Sequence, residues 1–389
     1  MINLHIYPSN MANESRIFKI TAALIEAGLV QEIVLVGIGE GTFPETETMD
    51  DSRKIWRVPL TKFPFLGWKV EKVLRYIQWI WKVFRRYRHE PITMINCHSL
   101  FDLPIGVLLK RKTGGTLIYD AHELETERNG LKGKLKHIFK IIEKQCIKHI
   151  DYLFVVSDSI AHWYQETYHL TDVAVIKNIP VKHPSPLEKS PILRDRFNIP
   201  PGHRLYLYQG ALLEGRGIPI LLAVFSKTDI TDHIVFMGYG PLTQMIKTAA
   251  TLHPTIHFLD AVPHQQINTY ASSADIGISL IENTCLSYYY CLPNKVFEYV
   301  FSGIPCIVSD FPDMKAFVYT YSCGWVTPVN EANVYRLIKE MTATEFFEKQ
   351  QHVYTMQNNP HFDWQNEKKI LLDVYNTLLP TKNHQENPK

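Results

Sequence analysis

The sequence predicts two doubly wound α/β domains joined by a proline-rich hinge, and three observations carry that expectation. The chain is 389 residues long, more than one ordinary domain of roughly 150 residues. Short apolar runs alternate with helical patterns in both halves, the rhythm of parallel sheets covered by helices on both faces. The alternation stops once, over residues 178–201, where Pro180, Pro184, Pro186, Pro191, Pro200 and Pro201 crowd a stretch that neither a helix nor a central strand tolerates. A composition of 46% hydrophobic and 21% charged residues excludes a disordered, collagenous or coiled-coil chain.

In the first half, apolar runs short enough for buried strands fall at residues 3–7, 32–36, 92–96, 116–119, 152–156 and 173–176. Between them, longer segments with helical spacing occupy residues 15–27, 68–87, 103–110, 131–150 and 159–167. Within 68–87, Val70, Val73, Leu74, Ile77, Trp81 and Phe84 recur at helical intervals and are read as the core stripe. Lys69, Lys72, Arg75, Lys82, Arg85 and Arg86 fall mostly off it, with Trp79 among them. After the hinge come strands at 205–208, 234–237, 256–259, 276–280 and 306–309, with helices starting near 218, 242, 265 and 295. The expected boundaries are residues 1–178 for the first domain and 179–362 for the second, with a last helix at about 363–380 packing back on the first. Ligands of open α/β sheets bind beyond the carboxyl ends of the strands, so the cleft between the two domains is the expected site.

The net charge is +2, yet residues 1–184 hold 25 Lys and Arg against 20 Asp and Glu, leaving the rest acidic. Residues 53–88 contain eleven Lys and Arg and a single acidic residue, Glu71. A second helix carries Lys132, Lys136, Lys140, Lys144 and Lys148, a slowly winding basic stripe. Basic helices with interfacial Trp suit an anionic membrane surface. A nucleic-acid partner is disfavoured, because the overall charge is small and no binding motif is present. The six cysteines form no CxxC pair or zinc spacing, which suits free thiols in a reducing compartment. No basic n-region with an apolar core opens the chain, and no apolar run approaches the roughly 20 residues of a membrane span. The expectation is a cytoplasmic protein, peripheral on the inner face of the membrane.

Four segments carry candidate chemistry. In Leu292-Pro-Asn-Lys-Val-Phe-Glu-Tyr-Val-Phe-Ser-Gly-Ile-Pro-Cys, Pro293 suits a first helical turn, with Lys295 inside it and Glu298 one turn later on the same side. A helix N-terminus beside a Lys attracts an anion, and the Glu can accept from hydroxyls. An ordinary surface Lys–Glu pair has the same spacing. In Tyr206-Leu-Tyr-Gln-Gly-Ala-Leu-Leu-Glu-Gly-Arg-Gly, a strand enters a glycine-rich loop where backbone can approach a ligand and Arg216 offers a fork of donors for phosphate. Gly238-Tyr-Gly-Pro241 is a third loop of this kind. In the first half, Asp120-Ala-His-Glu123 and Asn96-Cys-His-Ser99 end neighbouring strands. No DxD pair, metal grid or GxSxG elbow occurs.

In this order and spacing the four segments resemble the family 4 glycosyltransferases. The resemblance implies the GT-B fold, two Rossmann-like domains facing a cleft, with donor in the C-terminal half and acceptor in the N-terminal half. It also implies transfer of a sugar from a nucleotide donor, UDP most commonly, with retention of anomeric configuration. The nucleotide-sugar is then a substrate, and neither cofactor nor metal is expected. By position, Arg216 and Lys295 would hold the donor diphosphate, Glu298 the ribose and Gly210 a close-approach backbone. Gly238 and Asn294 would join the donor site, and His122 would be the active-site His near the reacting sugar. Two departures stand out. Tyr290 occupies the position of the family's first motif Glu, and Ser9-Asn-Met-Ala-Asn13 replaces its Gly-Gly loop. Arg16, Trp79, Arg75 and Lys82 are the candidates for an acceptor or membrane side. The function expected is a glycosyltransferase acting on a lipid-linked oligosaccharide or surface polysaccharide. The alternatives are a GT-B sugar-nucleotide epimerase and a non-catalytic GT-B partner in a glycan-assembly complex.

Overall fold

Residues 2–181, 188–357, 359 and 362–379 are described by the structure, a computed structural model. The first half runs β1 (Ile2–Ile6), α1 (Ser15–Glu26), β2 (Glu32–Gly39), β3 (Thr46–Thr48), β4 (Arg53–Pro59), α2 (Trp68–Tyr87), β5 (Ile92–Cys97), α3 (Leu103–Thr113), β6 (Thr116–Ala121), α4 (Gly133–Cys146), β7 (Tyr152–Val155), α5 (Asp158–Tyr168) and β8 (Val173–Val175). The second runs α6 (Ile192–Phe197), β9 (Leu205–Gln209), α7 (Ile218–Phe225), β10 (His233–Met237), α8 (Thr243–Leu252), β11 (Ile256–Leu259), α9 (Ile267–Ala271), β12 (Ile276–Ser279), α10 (Leu286–Tyr289), α11 (Asn294–Phe301), β13 (Cys306–Ser309), α12 (Pro312–Tyr321), β14 (Gly324–Thr327), α13 (Glu331–Glu340), α14 (Ala343–Gln357) and α15 (Trp364–Leu378).

The chain divides into two compact units, residues 1–177 with 367–389, and residues 178–366. The first holds an eight-stranded sheet in the order β3-β4-β2-β1-β5-β6-β7-β8, and the second a six-stranded sheet in the order β11-β10-β9-β12-β13-β14. All pairings are parallel except β3 with β4. Each sheet therefore reverses its winding once, between β1 and β5 and between β9 and β12. Such switch points leave an open crevice at the carboxyl edge, where ligands of doubly wound sheets collect.

Two-residue periodicity shows why both faces need helices. Leu205 and Leu207 of β9 join one core of the second unit, while Tyr206 and Tyr208 join the other. All four side chains are fully buried. In the first unit the last helix ties in through polar contacts: the Tyr375 hydroxyl donates to Asn96 Oδ1 at 2.6 Å, and Lys368 pairs with Glu26 at 2.6 Å.

The structure corrects the sequence reading in three places. β3 and β4 were not expected, because Thr-Glu-Thr is exposed throughout and Arg53–Pro59 interleaves charges with Ile55, Trp56 and Val58. The proline-rich stretch is not all linker. It contains α6, whose Leu193 is buried in the second unit's core with Ile199. Asp275 pins this segment by accepting from Lys189, Arg194 and the Leu205 amide. The third correction concerns α2. Its outer stripe is the one expected to be core: Val70, Val73, Ile77 and Trp81 are each more than half exposed. The helix turns Trp79, Val83 and Tyr87 inward instead, and the Trp79 indole donates to Gly37 O at 3.1 Å.

Candidate active site

Two clusters of polar side chains lie at the carboxyl ends of the central strands, one in each unit. In the second unit, β9 ends at Gln209 and Gly210 takes φ +112°, a conformation that side-chain-bearing residues rarely adopt. A Cβ at Gly210 would lie 3.9 Å from the Nζ of Lys295, and one at Gly238 would lie 1.9 Å from the Gly210 carbonyl oxygen. The two loop ends therefore pass too close for any residue but glycine at Gly238.

Lys295 is placed by its helix. One turn later on the same face of α11, Tyr299 is fully buried and fills the space left by Gly277, where a Cβ would meet its ring at 2.2 Å. The Tyr299 hydroxyl donates to a sheet carbonyl, with Leu207 O and Ile278 O each 3.1 Å away, and accepts from the Gln209 amide at 3.2 Å. This peg holds α11 against the strand ends and carries Lys295 over the Tyr208 ring, 4.0 Å from its centroid. Pro293 is the cap residue just before α11 rather than part of its first turn. Arg216 lies over the Tyr288 ring at 4.4 Å. Its loop is tied down by Glu282, which accepts from the Gly217 amide at 3.1 Å while its own amide donates to Gly215 O at 3.0 Å.

Among the described residues neither Arg216 nor Lys295 has a carboxylate within 4.0 Å. Burial and the neighbouring Arg216 guanidinium together pull the Lys295 ammonium down to about 7. The Glu298 carboxylate offsets part of this from beyond salt-bridge distance, and a guanidinium and an amine brought together in this way favour an anionic ligand. Above about pH 7 the empty site holds a neutral amine, so an anionic ligand must take up a proton on binding. Affinity for a nucleoside diphosphate is therefore expected to fall as pH rises above 7. Calorimetry in buffers of different ionisation enthalpy should show proton uptake at pH 8 that is absent at pH 6, and equal uptake at both would sink the idea. Glu298 accepts from Gln209 Nε2 at 2.6 Å, and Asn294 Oδ1 accepts from Asn178 at 3.1 Å at the exposed start of α11.

In the first unit, Asp120 near the end of β6 organises the cluster. Arg16 in the first turn of α1 grips both its oxygens, with contacts of 2.6, 3.0 and 3.2 Å, and donates its third nitrogen to Ile176 O at 2.7 Å. The same carboxylate meets His98 Nδ1 at 3.0 Å and His122 Nε2 at 3.2 Å. Burial alone would raise the Asp120 carboxyl, but Arg16 and the histidines override it and hold the group well below the usual range. A carboxylate only accepts, so both facing ring nitrogens carry protons. His98 then accepts on Nε2 from His5 Nδ1 at 2.9 Å, and burial keeps both of these histidines neutral by lowering them. His122 is the member that reaches solvent, its side chain 22% exposed and its Nδ1 left over for a ligand.

One ligand atom from each of His98, Asp120 and His122 lies within 4.8 Å of the others. The chemistry is wrong for a divalent cation, because a guanidinium already occupies both carboxylate oxygens and His98 Nδ1 is protonated.

The structure brings together Gly210, Arg216, Gly238, Lys295 and Glu298 in the second unit, and places His122 with Asp120 in the first. The side proposed for the acceptor or membrane is corrected. Arg16 is buried and saturated by Asp120 and Ile176. Trp79 is fully buried, Arg75 pairs with Glu40 at 3.0 Å, and Lys82 donates to Pro59 O at 2.6 Å. Sequence reasoning missed His5, Tyr208 and Gln209. Their signal was position alone, since His5 lies in the first assigned strand and Tyr208 and Gln209 at the end of the first strand after the hinge. Tyr290 caps α10 and packs on Tyr289, ring centroids 5.3 Å apart.

Comparison with known proteins agrees with this arrangement. Residues 14–179 match the family model Glycosyltransferase Family 4, and residues 203–343 match Glycosyl transferases group 1. No curated protein matches the sequence. Among solved structures, sucrose-phosphate synthase from Thermosynechococcus elongatus is similar with a TM-score of 0.76 at 16% identity, over 97% of this chain and 99% of that one. HepE of Anabaena in complex with UDP-glucose gives 0.71 at 10% identity, over 97% and 100%. WaaG, a glycosyltransferase involved in lipopolysaccharide biosynthesis, gives 0.64 at 10% identity, over 95% and 99%. With the family 4 model matched in its first half, the group 1 glycosyl transferase model in its second and the GT-B fold shared along nearly its whole length, the chain is a glycosyltransferase of the family 4 type.

Proposed function

We propose that the enzyme transfers a sugar from a nucleotide diphosphate donor, UDP foremost, to a lipid-linked oligosaccharide or surface polysaccharide, with retention of configuration and without a metal. The observation that carries the donor half is the pair Arg216 and Lys295, without a carboxylate within 4.0 Å among the described residues, beside the Gly210 and Gly238 loops. A neighbour in the same fold, HepE, is solved with UDP-glucose, which supports UDP as the first nucleotide to try.

In the reaction the bond from the anomeric carbon to the diphosphate oxygen breaks. A bond to an acceptor oxygen forms on the same face, and the acceptor proton leaves with the diphosphate. Negative charge grows on the departing oxygen, where Arg216, Lys295 and the N-terminus of α11 stabilise it. Fixed cations thus take the role a dication has elsewhere. Glu298 is placed to exchange its Gln209 partner for ribose hydroxyls. In the first unit, Asp120 holds His122 in one tautomer, so that Nδ1 can accept from a sugar hydroxyl.

The test is a panel of UDP, GDP, ADP, CDP and dTDP in thermal unfolding, followed by release of diphosphate from the matching nucleotide-sugars. A ligand at 100 times its dissociation constant adds about 2.7 kcal/mol to the native state. One nucleotide stabilising wild type but not Arg216→Ala supports the reading. Stabilisation by none of the five overturns the donor assignment.

A further inference from the structure

The outward stripe of α2 has no role in the core. Val70, Val73, Ile77 and Trp81 are 52%, 57%, 55% and 54% exposed, diametrically opposite the buried Trp79. Phe65, just before the helix, is 98% exposed. α3 separates α2 from α4, with Phe101 packed between Tyr76 at 6.2 Å and Phe139 at 5.2 Å. On α4 the same pattern recurs: Leu135, Ile138 and Ile141 are about half exposed, while Glu143 turns inward to accept from the Tyr164 hydroxyl at 2.8 Å. Soluble monomers rarely leave a row of large apolar side chains exposed along a helix, and such rows mark interaction surfaces.

The rims of the stripe identify the partner. Exposed Lys69 and Arg85 flank it on either side on α2, and exposed Lys144 borders its counterpart on α4. Lys69 lies over the Trp68 ring at 5.5 Å and Arg85 over the Trp81 ring at 5.1 Å. An apolar centre, indole rings and cationic shoulders form a section matched to the bilayer boundary, with stems in the acyl layer and charged heads at the phosphates. A second copy meeting this face about a two-fold axis would set basic rim against basic rim. α2 is 20 residues long, so it would lie along the surface for about 30 Å. Among the described residues no helix is long and apolar enough to cross a membrane.

We propose that the outward faces of α2 and α4 dock on an anionic lipid bilayer, the apolar stripe inserting at the headgroup–acyl boundary and the basic rims binding the phosphates. This gives a place to the lipid-linked acceptor of the preceding section, and its meaning for catalysis rests on that reading. The binding itself is measured without any transfer assay.

The full chain is sedimented with vesicles of phosphatidylcholine alone and of phosphatidylcholine mixed with phosphatidylglycerol, at low and high salt. Wild type is expected on the mixed vesicles, with part of the binding surviving high salt because insertion is not screened. Val73→Asp with Ile77→Asp should lower binding roughly tenfold or more at either salt, while the melting temperature holds because both side chains are already in water. Lys69→Glu with Arg85→Glu should lower it roughly tenfold at low salt. Either double variant binding like wild type overturns the proposal. So does a dimer in solution that Val73→Asp with Ile77→Asp converts to monomer, which would assign the face to self-association. UDP stabilisation is recorded on the same samples without vesicles, so loss of donor binding and loss of membrane binding are told apart.

Discussion

Lys295→Met is expected to lower turnover by about 10²- to 10³-fold, the usual cost of removing one group that stabilises charge on a departing oxygen. Arg216→Ala should do the same. The two together should fall short of the product of the single effects, because both cations act on one diphosphate. The folding consequence runs the other way. Lys295 is held at about 7, below its ordinary value near 10.4. Between those values the unfolded chain binds the extra proton, so stability from this group rises with pH from 7 to 10 and is absent below 7. Met removes that titration, fills similar space against Tyr208 and should melt at or above wild type at pH 7. Calorimetric melting alongside steady-state rates checks both halves. Wild-type turnover in the Met variant would end the electrostatic account.

The second large effect is on folding. Asp120→Asn should destabilise the first unit by about 3–5 kcal/mol, because it strands the Arg16 guanidinium, only 5% exposed, without its counter-charge. Replacing both partners, as in Arg16→Met with Asp120→Leu, should recover much of that loss while leaving the enzyme inactive, since His122 would lose its orienting contact. Denaturant titration of the two singles and the double gives the coupling directly. The pH response has a definite sign as well. Asp120 is depressed, so its contribution is present above the usual carboxylate range and is lost as pH falls through its folded value. His5 and His98 are lowered too. Their neutral forms favour folding above about 6.5, and that stability fades as pH drops below it.

What could be read from the sequence was what is local. Lys295, Glu298 and Tyr299 share one two-turn helix, so their common face follows from spacing. Gly210 and Gly238 announce themselves as glycines at strand ends, the first required by its φ of +112° and the second by the Gly210 carbonyl oxygen 1.9 Å from where its Cβ would lie. The Arg16–Asp120 pair spans 104 residues and exists only because the sheet order sets the end of β6 near the start of α1. No pattern along the chain contains that order. α2 shows a different limit. It bears two apolar stripes, one through Val70, Val73, Ile77 and Trp81 and another through Trp79, Val83 and Tyr87. Periodicity reveals both but not which one the sheet selects. The core took the stripe with the larger aromatic surface and the indole that could reach Gly37 O.

The peg formed by Tyr299 in the hollow of Gly277 has a practical corollary. It anchors α11 on the sheet side, independently of the loop at residues 283–292. The loop there, apart from Tyr288 on which Arg216 rests, can be exchanged for that of a relative with a different sugar preference without displacing the ammonium at Lys295. Grafts that keep Gly277, Tyr288 and Tyr299 should thus alter selectivity and spare the reaction's charge stabilisation. Grafts that disturb either one would shift the whole helix and lose both.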